Sequence, residues 1–336
     1  MRYFSNILIT GGSGFIGANF IKLLLNDNKK NTYIKKIVNL DKLTYAGSKK
    51  NNESYSNDPK YNFVKGCISS KELVQEILNS NEIDLIINFA AESHVDNSIT
   101  GPGEFINTNI LGTFNLLECF REYAEKTNHE AAFLHVSTDE VYGSLKIEDE
   151  RFTEFSRYKP NSPYSSSKAS SDHLVRAWHK TYGINTFITN CSNNYGPMQN
   201  EEKLIPKIIK KALLEEKIPI YGNGSNIRDW LYVKDHCEAI FEVFSRGAYG
   251  ETYNIGGLNE KTNIEIANII CEKLDELRPK KDSYRNLISF VDDRLGHDFR
   301  YSIDPQKIIN DLGWRPNETF ETGIERTIDW YLKRTQ

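Results

Sequence analysis

The chain has 336 residues, of which 39% are hydrophobic and 26% are charged, and its formal net charge is −4. This composition excludes a disordered chain and fits one large globular domain or two packed ones. The mild negative charge does not indicate a nucleic-acid surface, so no nucleic-acid partner is expected.

The cysteines and the amino terminus indicate the compartment. Five cysteines are scattered along the chain without a Cys-x-x-Cys pair. This spacing argues against a zinc site or a disulfide framework and fits a reducing cytosol. The opening MRYFSNILITGG has no charged n-region or long apolar h-region, and no apolar stretch approaches membrane-spanning length. We therefore expect a cytoplasmic protein with no metal, no signal peptide and no membrane partner.

The first half of the chain alternates apolar strands with amphipathic helices. Strands are predicted at Asn6–Thr10, Lys35–Asp41, Tyr61–Gly66, Ile83–Ala91 and in the run AAFLHVS from Ala131. Helices are predicted at Phe15–Asp27, in SKELVQEILNS, and around Glu104–Glu125. Apolar strands separated by such helices indicate a parallel sheet covered on both faces, so we predict a doubly wound α/β fold of the Rossmann type.

The second half is less regular. Asn, Gly and Pro cluster after about residue 190, and shorter helices are predicted at Ile205–Glu215, Lys234–Ser245 and Asn263–Leu277. We interpret residues 1–190 as a nucleotide-binding domain that carries the catalytic residues. Residues 191–336 are interpreted as a smaller α/β substrate-binding lobe, with some chain returning to the first domain. No linker separates the two parts, so they are expected to pack together.

The stretch TGGSGFIG lies between the first predicted strand and the first helix. Gly12, Gly14 and Gly17 satisfy G-x-G-x-x-G, and Gly11 gives the variant G-x-x-G-x-x-G. Such glycines allow a tight turn and a close backbone approach to a pyrophosphate at a helix amino terminus. Asp41 ends the second strand 24 residues after Gly17. An acidic residue at this place binds ribose hydroxyls and repels a 2′-phosphate, which favours NAD over NADP.

The stretch FLHVSTDEVYGS ends a buried strand with a hydroxyl and two adjacent carboxylates. Thr138, Asp139 and Glu140 follow directly after the apolar run. Two interpretations are open from this stretch alone: a polar cap that closes the strand, or the mouth of an active site at the carboxyl end of a parallel strand.

The stretch PYSSSKAS places Tyr164 and Lys168 four residues apart. On a helix, both side chains lie on the same face. A lysine ammonium beside a phenol lowers the pKa of the phenol, which can then take a proton from an alcohol during hydride transfer. The pattern alone is common, and an ordinary amphipathic helix would also explain it.

Together these motifs resemble the extended short-chain dehydrogenase/reductase superfamily and, within it, the dTDP-glucose 4,6-dehydratases. The resemblance spans nearly the whole chain, and its most specific motif is the triplet Thr138-Asp139-Glu140. The other motifs that carry it are LTYAG, FAAESHVD, SPYSSSKA, CSNNYGP, EKLIPK, RDWLYV, YNIGG and DRLGHDFRY.

The resemblance implies a reaction. Tyr164, supported by Lys168 and Thr138, would deprotonate O4 of the sugar while the C4 hydride passes to NAD. Glu140 would remove the C5 proton, and protonated Asp139 would help the C6 hydroxyl to leave as water. The hydride would then return to C6. Two neighbouring carboxylates of opposite protonation state suit such an elimination. The product would be a 4-keto-6-deoxy sugar nucleotide.

The resemblance also implies binding residues. The expected NAD contacts are Gly11, Gly14, Phe15, Ile16, Gly17, Asp41, Lys42, Leu43, Thr44, Ile68, Ala90, Ala91, Ser93, Tyr164 and Lys168. The expected contacts with the nucleotide-diphosphate sugar are His94, Thr138, Asn193, Lys203, Leu204, Tyr221, Arg228, Asn263, Arg294, His297 and Tyr301. Arg228 and Arg294 are candidates for the diphosphate, because a guanidinium matches phosphate oxygens with two donors.

The chain departs from the usual family pattern at several positions. Cys67 stands where the family typically carries an acidic residue near the adenine, and Asn97 and Asn190 stand where Arg is usual. These departures leave the nucleotide open, so UDP-glucose or another NDP-hexose is an alternative substrate. A nucleotide-sugar epimerase would lack the paired carboxylates, and a non-catalytic NAD-binding protein would lose the Tyr/Lys pair.

A homodimer is expected from the same resemblance. Helices around Glu104–Glu125 and Ser162–Tyr182 lie outside the sheet in this superfamily and commonly pair with a second subunit. Ala169, Leu174, Ala177 and Trp178 are the apolar residues that the second helix offers.

Overall fold

The computed structural model describes residues 1–127, 131–293 and 296–334. Within these residues the strands are β1 Asn6–Thr10, β2 Lys36–Asp41, β3 Tyr61–Lys65, β4 Leu85–Asn88, β5 Ala132–Thr138, β6 Asn185–Cys191, β7 Asn193–Tyr195, β8 Ile218–Tyr221, β9 Ile227–Tyr232, β10 Thr252–Ile255, β11 Glu260–Thr262, β12 Ile288–Val291 and β13 Arg300–Tyr301.

The helices of the same residues are α1 Phe15–Asn26, α2 Asn28–Asn31, α3 Lys71–Ser80, α4 Val95–Thr100, α5 Pro102–Phe105, α6 Thr113–Thr127, α7 Pro163–Tyr182, α8 Leu204–Leu213, α9 Val233–Arg246, α10 Asn263–Leu277, α11 Gln306–Leu312 and α12 Phe320–Arg334. The chain is π-helical over Ile106–Gly112, and 3-10 helical at Lys49–Tyr55, Asp139–Tyr142 and Tyr284–Leu287.

Seven of the described strands form one parallel sheet in the order β10-β6-β5-β4-β1-β2-β3. Strand β1 pairs with β2 on one side and with β4 on the other, so the winding direction reverses between β1 and β4. Ligands of doubly wound sheets bind at such a switch point, outside the carboxyl ends of the strands. The predicted fold class is confirmed.

Both faces of the sheet are covered by apolar packing. The consecutive residues Leu8 and Ile9 are both fully buried, yet they belong to two different hydrophobic clusters. Successive side chains of a strand point to opposite faces, so a strand that is apolar at every position must be covered twice. This burial on both faces fixes the sheet, and the loops that leave its carboxyl edge start from that fixed support.

The carboxyl-terminal part of the chain builds a third hydrophobic cluster between α8, α10 and α12. It also contributes smaller sheets, in which β9 pairs with β7, β11 and β13, and β8 pairs with β12. One of its strands, β10, pairs in parallel with β6 and extends the central sheet. A division into two domains near residue 190 stays a prediction.

Two predicted elements differ from the structure in an informative way. The fourth strand is shorter than Ile83–Ala91 and ends at Asn88, because the chain leaves the sheet there to line a cavity. The helix predicted around Glu104–Glu125 is interrupted by the π-helical turns between α5 and α6. By contrast, β1 and α10 have the predicted bounds. Among the described residues, no helix combines the length and apolar character needed to cross a membrane.

Candidate active site

A cavity of about 300 Å³ lies along the carboxyl edge of the central sheet. Its wall is built from the segments at the carboxyl ends of the six strands β1 to β6, together with the start of α7 and residues 199, 200, 202 and 203. The expected NAD contacts on this wall are Gly11, Gly14, Phe15, Ile16, Gly17, Asp41, Lys42, Thr44, Ile68, Ala90, Ala91, Ser93, Tyr164 and Lys168. Leu43 is not on the wall.

The glycine turn brings backbone close to the cavity. Gly11 has a φ of +69°, and a Cβ atom there would lie 2.7 Å from the backbone nitrogen of Ala90. A Cβ atom at Gly17 would lie 2.5 Å from the carbonyl oxygen of Gly11. Only glycine fits both positions. Helix α1 has no side-chain cap, so its first-turn N–H groups can bind a phosphate.

Asp41 is held in place by the backbone. Its Oδ2 accepts the N–H of Ser13 at 2.9 Å, and its Oδ1 accepts the N–H of Leu43 at 2.7 Å. Leu43 has a left-handed φ of +56°, which turns the loop around the carboxylate. Each carboxylate oxygen can accept a further hydrogen bond, so the group fits the two ribose hydroxyls of a dinucleotide. Burial raises the pKa of Asp41, and its two backbone hydrogen bonds lower it.

The triplet after β5 lies on the opposite wall of the same cavity. Thr138 ends β5, and Asp139 and Glu140 begin a 3-10 turn, in which the N–H of Glu140 donates to Thr138 Oγ1 at 3.3 Å. Asp139 is 2% exposed, and its Oδ2 has no hydrogen-bond partner among the described residues. A buried carboxylate without a partner is costly, which favours the neutral acid.

The pKa of Asp139 is raised well above its usual value. Burial is the largest cause, and the nearby charges of Glu140 and Asp229 add to it. Arg228 and the hydrogen bond from Thr138 act in the opposite direction. Asp139 is therefore suited to donate a proton rather than to accept one.

Tyr164 and Lys168 lie in the first two turns of α7 and reach the cavity together. The helix starts with Pro163 after Ser162, whose side chain and that of Ser165 form a reciprocal capping box. This cap fixes the first turn. The Lys168 Nζ donates to the carbonyl oxygen of Val136 at 2.9 Å.

Burial changes the acidity of both groups. It lowers the pKa of Lys168 to about 8 and raises the pKa of Tyr164 well above 10, with Glu140 as the next cause. The pKa of Tyr164 is raised, whereas a lysine beside it in the Tyr-x-x-x-Lys pattern was expected to lower it. The physical reason is that the burial of the phenol and the neighbouring carboxylate of Glu140 both oppose a phenolate.

The comparisons with known proteins agree on one family. The family model described as GDP-mannose 4,6 dehydratase matches residues 8–327. A dTDP-glucose 4,6-dehydratase of Shigella flexneri is 51% identical, with 98% of this chain and 93% of the relative covered.

This chain belongs to the dTDP-glucose 4,6-dehydratase family.

Two solved structures of that family are also similar. The dTDP-glucose 4,6-dehydratase of Bacillus anthracis, in complex with NAD, is 46% identical with a TM-score of 0.86, covering 98% of this chain and 97% of that one. The Streptomyces venezuelae enzyme, with NAD among its ligands, is 43% identical with a TM-score of 0.89, and 97% of each chain is covered.

The residues expected to bind substrate fall into three groups in this dehydratase fold. Thr138, Asn193 and Lys203 line the cavity. His94, Leu204, Tyr221, Arg228, Asn263, His297 and Tyr301 are not among its wall residues. Arg294 lies outside the described residues. All of these substrate roles stay predictions.

Arg228 is buried and lies near enough to Asp139 to lower its pKa. Its guanidinium donates to the carbonyl oxygens of Ile227, Phe299 and Asp298 and lies over the ring of Tyr301 at 4.3 Å. Tyr221 donates to Asp96 at 3.3 Å, and the ring centroids of Tyr221 and His297 are 6.2 Å apart.

The three departures from the family pattern have different surroundings. Cys67 lines the same cavity as Asp41. The N–H of Asn97 donates to His94 Nδ1 at 3.4 Å. Asn190 is fully buried, and its side chain donates to the carbonyl oxygen of Thr138 at 3.0 Å and to Asp172 at 3.3 Å.

Sequence reasoning missed several residues of the site. The cavity wall also includes Glu92, Thr108, Cys191, Ser192, Asn194 and Glu202. Cys191 and Ser192 stand in the quoted CSNNYGP motif and follow directly on β6, so their place at a strand end is a signal that could have identified them. Thr108 lies in the π-helical segment, and nothing in the sequence pattern marks that segment.

We expect Asp139→Asn to stabilise the protein at neutral pH. The folded-state pKa of Asp139 is raised above the usual 3.8. Between pH 3.8 and the higher folded-state pKa of Asp139, the folded state binds more protons than the unfolded state. The contribution of Asp139 to the free energy of unfolding is therefore present below pH 3.8 and is lost as pH rises. Asparagine carries no such penalty. The advantage of the variant should grow by about 1 kcal/mol or more between about pH 4 and pH 7.

Urea unfolding at the two pH values measures this difference. Asp329→Asn, at an exposed position of α12, is the matched control and should show no such growth. An advantage for Asp139→Asn that is equal at both pH values would contradict the raised pKa.

Proposed function

We propose that the protein is an NAD-dependent hydro-lyase that converts dTDP-glucose to dTDP-4-keto-6-deoxyglucose and water. The observation that carries the proposal is the presence of Asp139 and Glu140 in the same cavity as Tyr164 and Lys168. An elimination between C5 and C6, after oxidation of C4, needs a proton donor and a proton acceptor. Asp139 and Glu140 can supply these beside the Tyr/Lys pair that handles the O4 proton.

The cavity fits NAD by its own chemistry. Gly11, Gly14 and Gly17 leave room for a pyrophosphate at the amino terminus of α1, and Asp41 has spare acceptor capacity for ribose hydroxyls. When bound, NAD accepts the hydride from C4 of the sugar, returns it to C6 and adds a positively charged ring to the cleft. The NAD-bound relatives support this cofactor.

The residues of the chain handle the protons. Tyr164 takes the proton from O4 as a phenolate, and Thr138 orients the hydroxyl. The Lys168 ammonium and the positively charged ring of bound NAD would offset the burial that disfavours this phenolate. Glu140 takes the C5 proton and later returns it to C5. Asp139 gives its proton to the C6 hydroxyl, which leaves as water. After the hydride has returned, Tyr164 holds the proton from O4 and Asp139 lacks the one it gave to the leaving water. The passage of one proton from Tyr164 to Asp139 restores the starting state.

The product class places the enzyme in deoxysugar biosynthesis, for example on a route toward rhamnose, and we propose that it works in the cytoplasm. The thymidine nucleotide is favoured over UDP because dTDP-glucose dehydratases share about half of their residues with this chain. Incubation with dTDP-glucose, UDP-glucose and GDP-mannose separately, followed by mass analysis of the products, tests the proposal. Loss of one water is expected fastest from dTDP-glucose, and the absence of water loss from all three would refute the function.

We also propose a homodimer built on the outer helices. Exposed apolar side chains cluster on the π-helical segment and α6, where Ile106 is 49%, Leu111 51% and Phe114 44% exposed. Leu174 and Trp178, which were expected to offer this surface, are partly buried and pack against a core cluster, and Ala177 is exposed. Phe114 contacts the edge of the Trp178 ring at 5.8 Å, so the patch continues onto α7.

NAD is expected to bind more tightly than NADP. A 2′-phosphate would face the Asp41 carboxylate, and a like-charge contact costs several kcal/mol, so we expect a preference of at least roughly tenfold. Asp41→Asn removes the charge with little change in shape and should reduce this ratio. Calorimetric titration with both dinucleotides checks it, with Asp329→Asn as the control. A tighter affinity of the unmodified protein for NADP would overturn the assignment of Asp41.

The two half-reactions should separate by mutation. Tyr164→Phe should abolish both water loss and exchange of the C5 proton with solvent. Asp139→Asn should still exchange the C5 proton in deuterated water but lose water roughly 10²-fold more slowly or worse. Glu140→Gln should lose both exchange and elimination. Product mass and deuterium content are the measurements.

Glu148→Gln, at an exposed position of the loop after the triplet, is the matched control for these variants. Full turnover in the double variant Asp139→Asn/Glu140→Gln would return the triplet to the role of a polar cap at a strand end.

Oligomeric state tests the proposed dimer. We expect light scattering at micromolar concentration to give twice the chain mass. Leu111→Glu/Phe114→Glu should give the monomer, because two charges would be buried without partners. Phe290→Glu, at a 60% exposed apolar position on β12, should leave the mass unchanged. A monomeric mass for the unmodified protein would exclude the dimer at that concentration.

A further inference from the structure

A buried acid–imidazole–amine cluster lies behind the Tyr164/Lys168 pair. Asp172 is fully buried on α7, one helical turn beyond Lys168, which is itself one turn beyond Tyr164. His135 of β5 is 1% exposed, and its Nε2 lies 3.2 Å from Lys168 Nζ and 3.5 Å from Asp172 Oδ1. One edge of the imidazole therefore faces both the amine and the carboxylate.

The carboxylate of Asp172 is built to stay in place. Its Oδ2 accepts hydrogen bonds from Ser137 Oγ at 2.9 Å, from the Tyr158 hydroxyl at 3.0 Å and from Asn190 Nδ2 at 3.3 Å. Its Oδ1 has no hydrogen-bond partner within the described part of the chain and is turned toward His135. Burial raises the pKa of Asp172, whereas Lys168 and the three donors on Oδ2 lower it and favour the ionised form. The other oxygen faces the side of the cluster that holds His135 and Lys168.

The far side of His135 is fixed as well. Its Nδ1 lies 3.1 Å from Asn88 Nδ2, and Asn88 Oδ1 accepts the hydroxyl of Thr10 at 2.6 Å. The ring is therefore held between β4 and α7 and cannot turn away from Lys168 without breaking these contacts.

We infer that Asp172 is a positioning residue that, with His135 between them, keeps Lys168 charged and aimed at the Tyr164 side of the cavity. A fully buried ammonium is unfavourable unless an opposite charge compensates it. The inference rests on Tyr164 and Lys168 acting as the proton-handling pair of the proposed function.

The titratable groups around this cluster are few. Lys168 is faced by Asp172 and Tyr164 from its own helix, by His135 from β5 and by Cys191 from β6. Burial lowers the pKa of Lys168, and Asp172 is the largest effect that raises it. Burial and Lys168 both lower the pKa of His135, so the imidazole is neutral and Asp172 supplies the negative charge.

On the Asp172 side, the titratable neighbours are Tyr158, from the segment before α7, and Tyr142, from the turn after the catalytic triplet. Burial raises the pKa of both phenols, so they stay protonated, and Tyr158 acts as a donor. Neither tyrosine competes with Lys168 for the charge of Asp172.

The first test is the pH profile of turnover of the NAD-loaded enzyme. Asp172→Asn should lower the limiting turnover about tenfold or more and move the falling, high-pH limb to lower pH by roughly one unit, because Lys168 loses its proton earlier. The KM for dTDP-glucose should change little. The matched control is Asp235→Asn, which removes another buried carboxylate, on α9, away from the cavity; its profile should coincide with that of the unmodified enzyme.

A second variant guards against a folding defect. Tyr158→Phe keeps the carboxylate but removes one of its donors, so the limb should move in the same direction by a smaller amount. A profile that coincides with the unmodified enzyme in both variants, with only a loss of thermal stability, would show that Asp172 is purely structural. An equal displacement in Asp235→Asn would also overturn the inference.

Unfolding provides a readout that does not depend on turnover. The pKa of Lys168 is lowered from 10.5 to about 8 in the folded state, so the unfolded chain binds the extra proton between these values and stability rises with pH there. In Asp172→Asn this rise should begin at a lower pH, and in Asp235→Asn it should not. If the unmodified enzyme turned over none of the nucleotide sugars, the proposed function would fail and this measurement alone would decide the role of Asp172.

Discussion

The parallel, in-register pairing of the central strands is the constraint on which the active site depends. Thr10 of β1 pairs with Asn88 of β4, and Thr138 of β5 pairs with Cys191 of β6. Asn88 in turn pairs with His135, three residues before Thr138, so β1 and β4 end together while β5 and β6 extend farther. The segments that leave these four strands line one cavity. The glycine turn, the segment after β4 and the Thr138-Asp139-Glu140 triplet meet because of the strand pairing and not because they are near in sequence.

Burial is the second physical effect that the groups of the site share, and it shifts the pKa of each group in the direction that favours its neutral form. It favours the neutral form of Asp139, of Tyr164 and of the Lys168 amine alike. The site must therefore restore charge where the chemistry needs it. The interior carboxylate of Asp172 does so for Lys168. At Asp139, burial, Glu140 and Asp229 outweigh Arg228 and the hydrogen bond from Thr138, so the neutral acid is favoured.

Sequence reasoning located the parts of the molecule that follow local rules. The bounds of β1 and α10 follow from apolar periodicity and turn residues, and the cavity wall contains the glycine turn, Asp41 and the triplet because motifs mark them. The link between His135 and Asp172 has no such mark, because it joins residues 37 positions apart through tertiary packing. The same applies to Trp178, whose partly buried side chain the fold packs against a core cluster.

Strand β10 has a consequence for how this architecture can be divided or recombined. It covers the outer edge of β6, with Thr252 opposite Ile188, although sixty residues of chain lie between the two strands. A fragment ending near residue 190 would expose this strand edge, whose unpaired backbone groups are a template for aggregation. The amino-terminal half therefore requires a strand from the other half. An exchange of substrate-binding segments between relatives would therefore have to leave β10 in place. The segments before and after β10 would have to be exchanged as two separate pieces and not as one contiguous lobe.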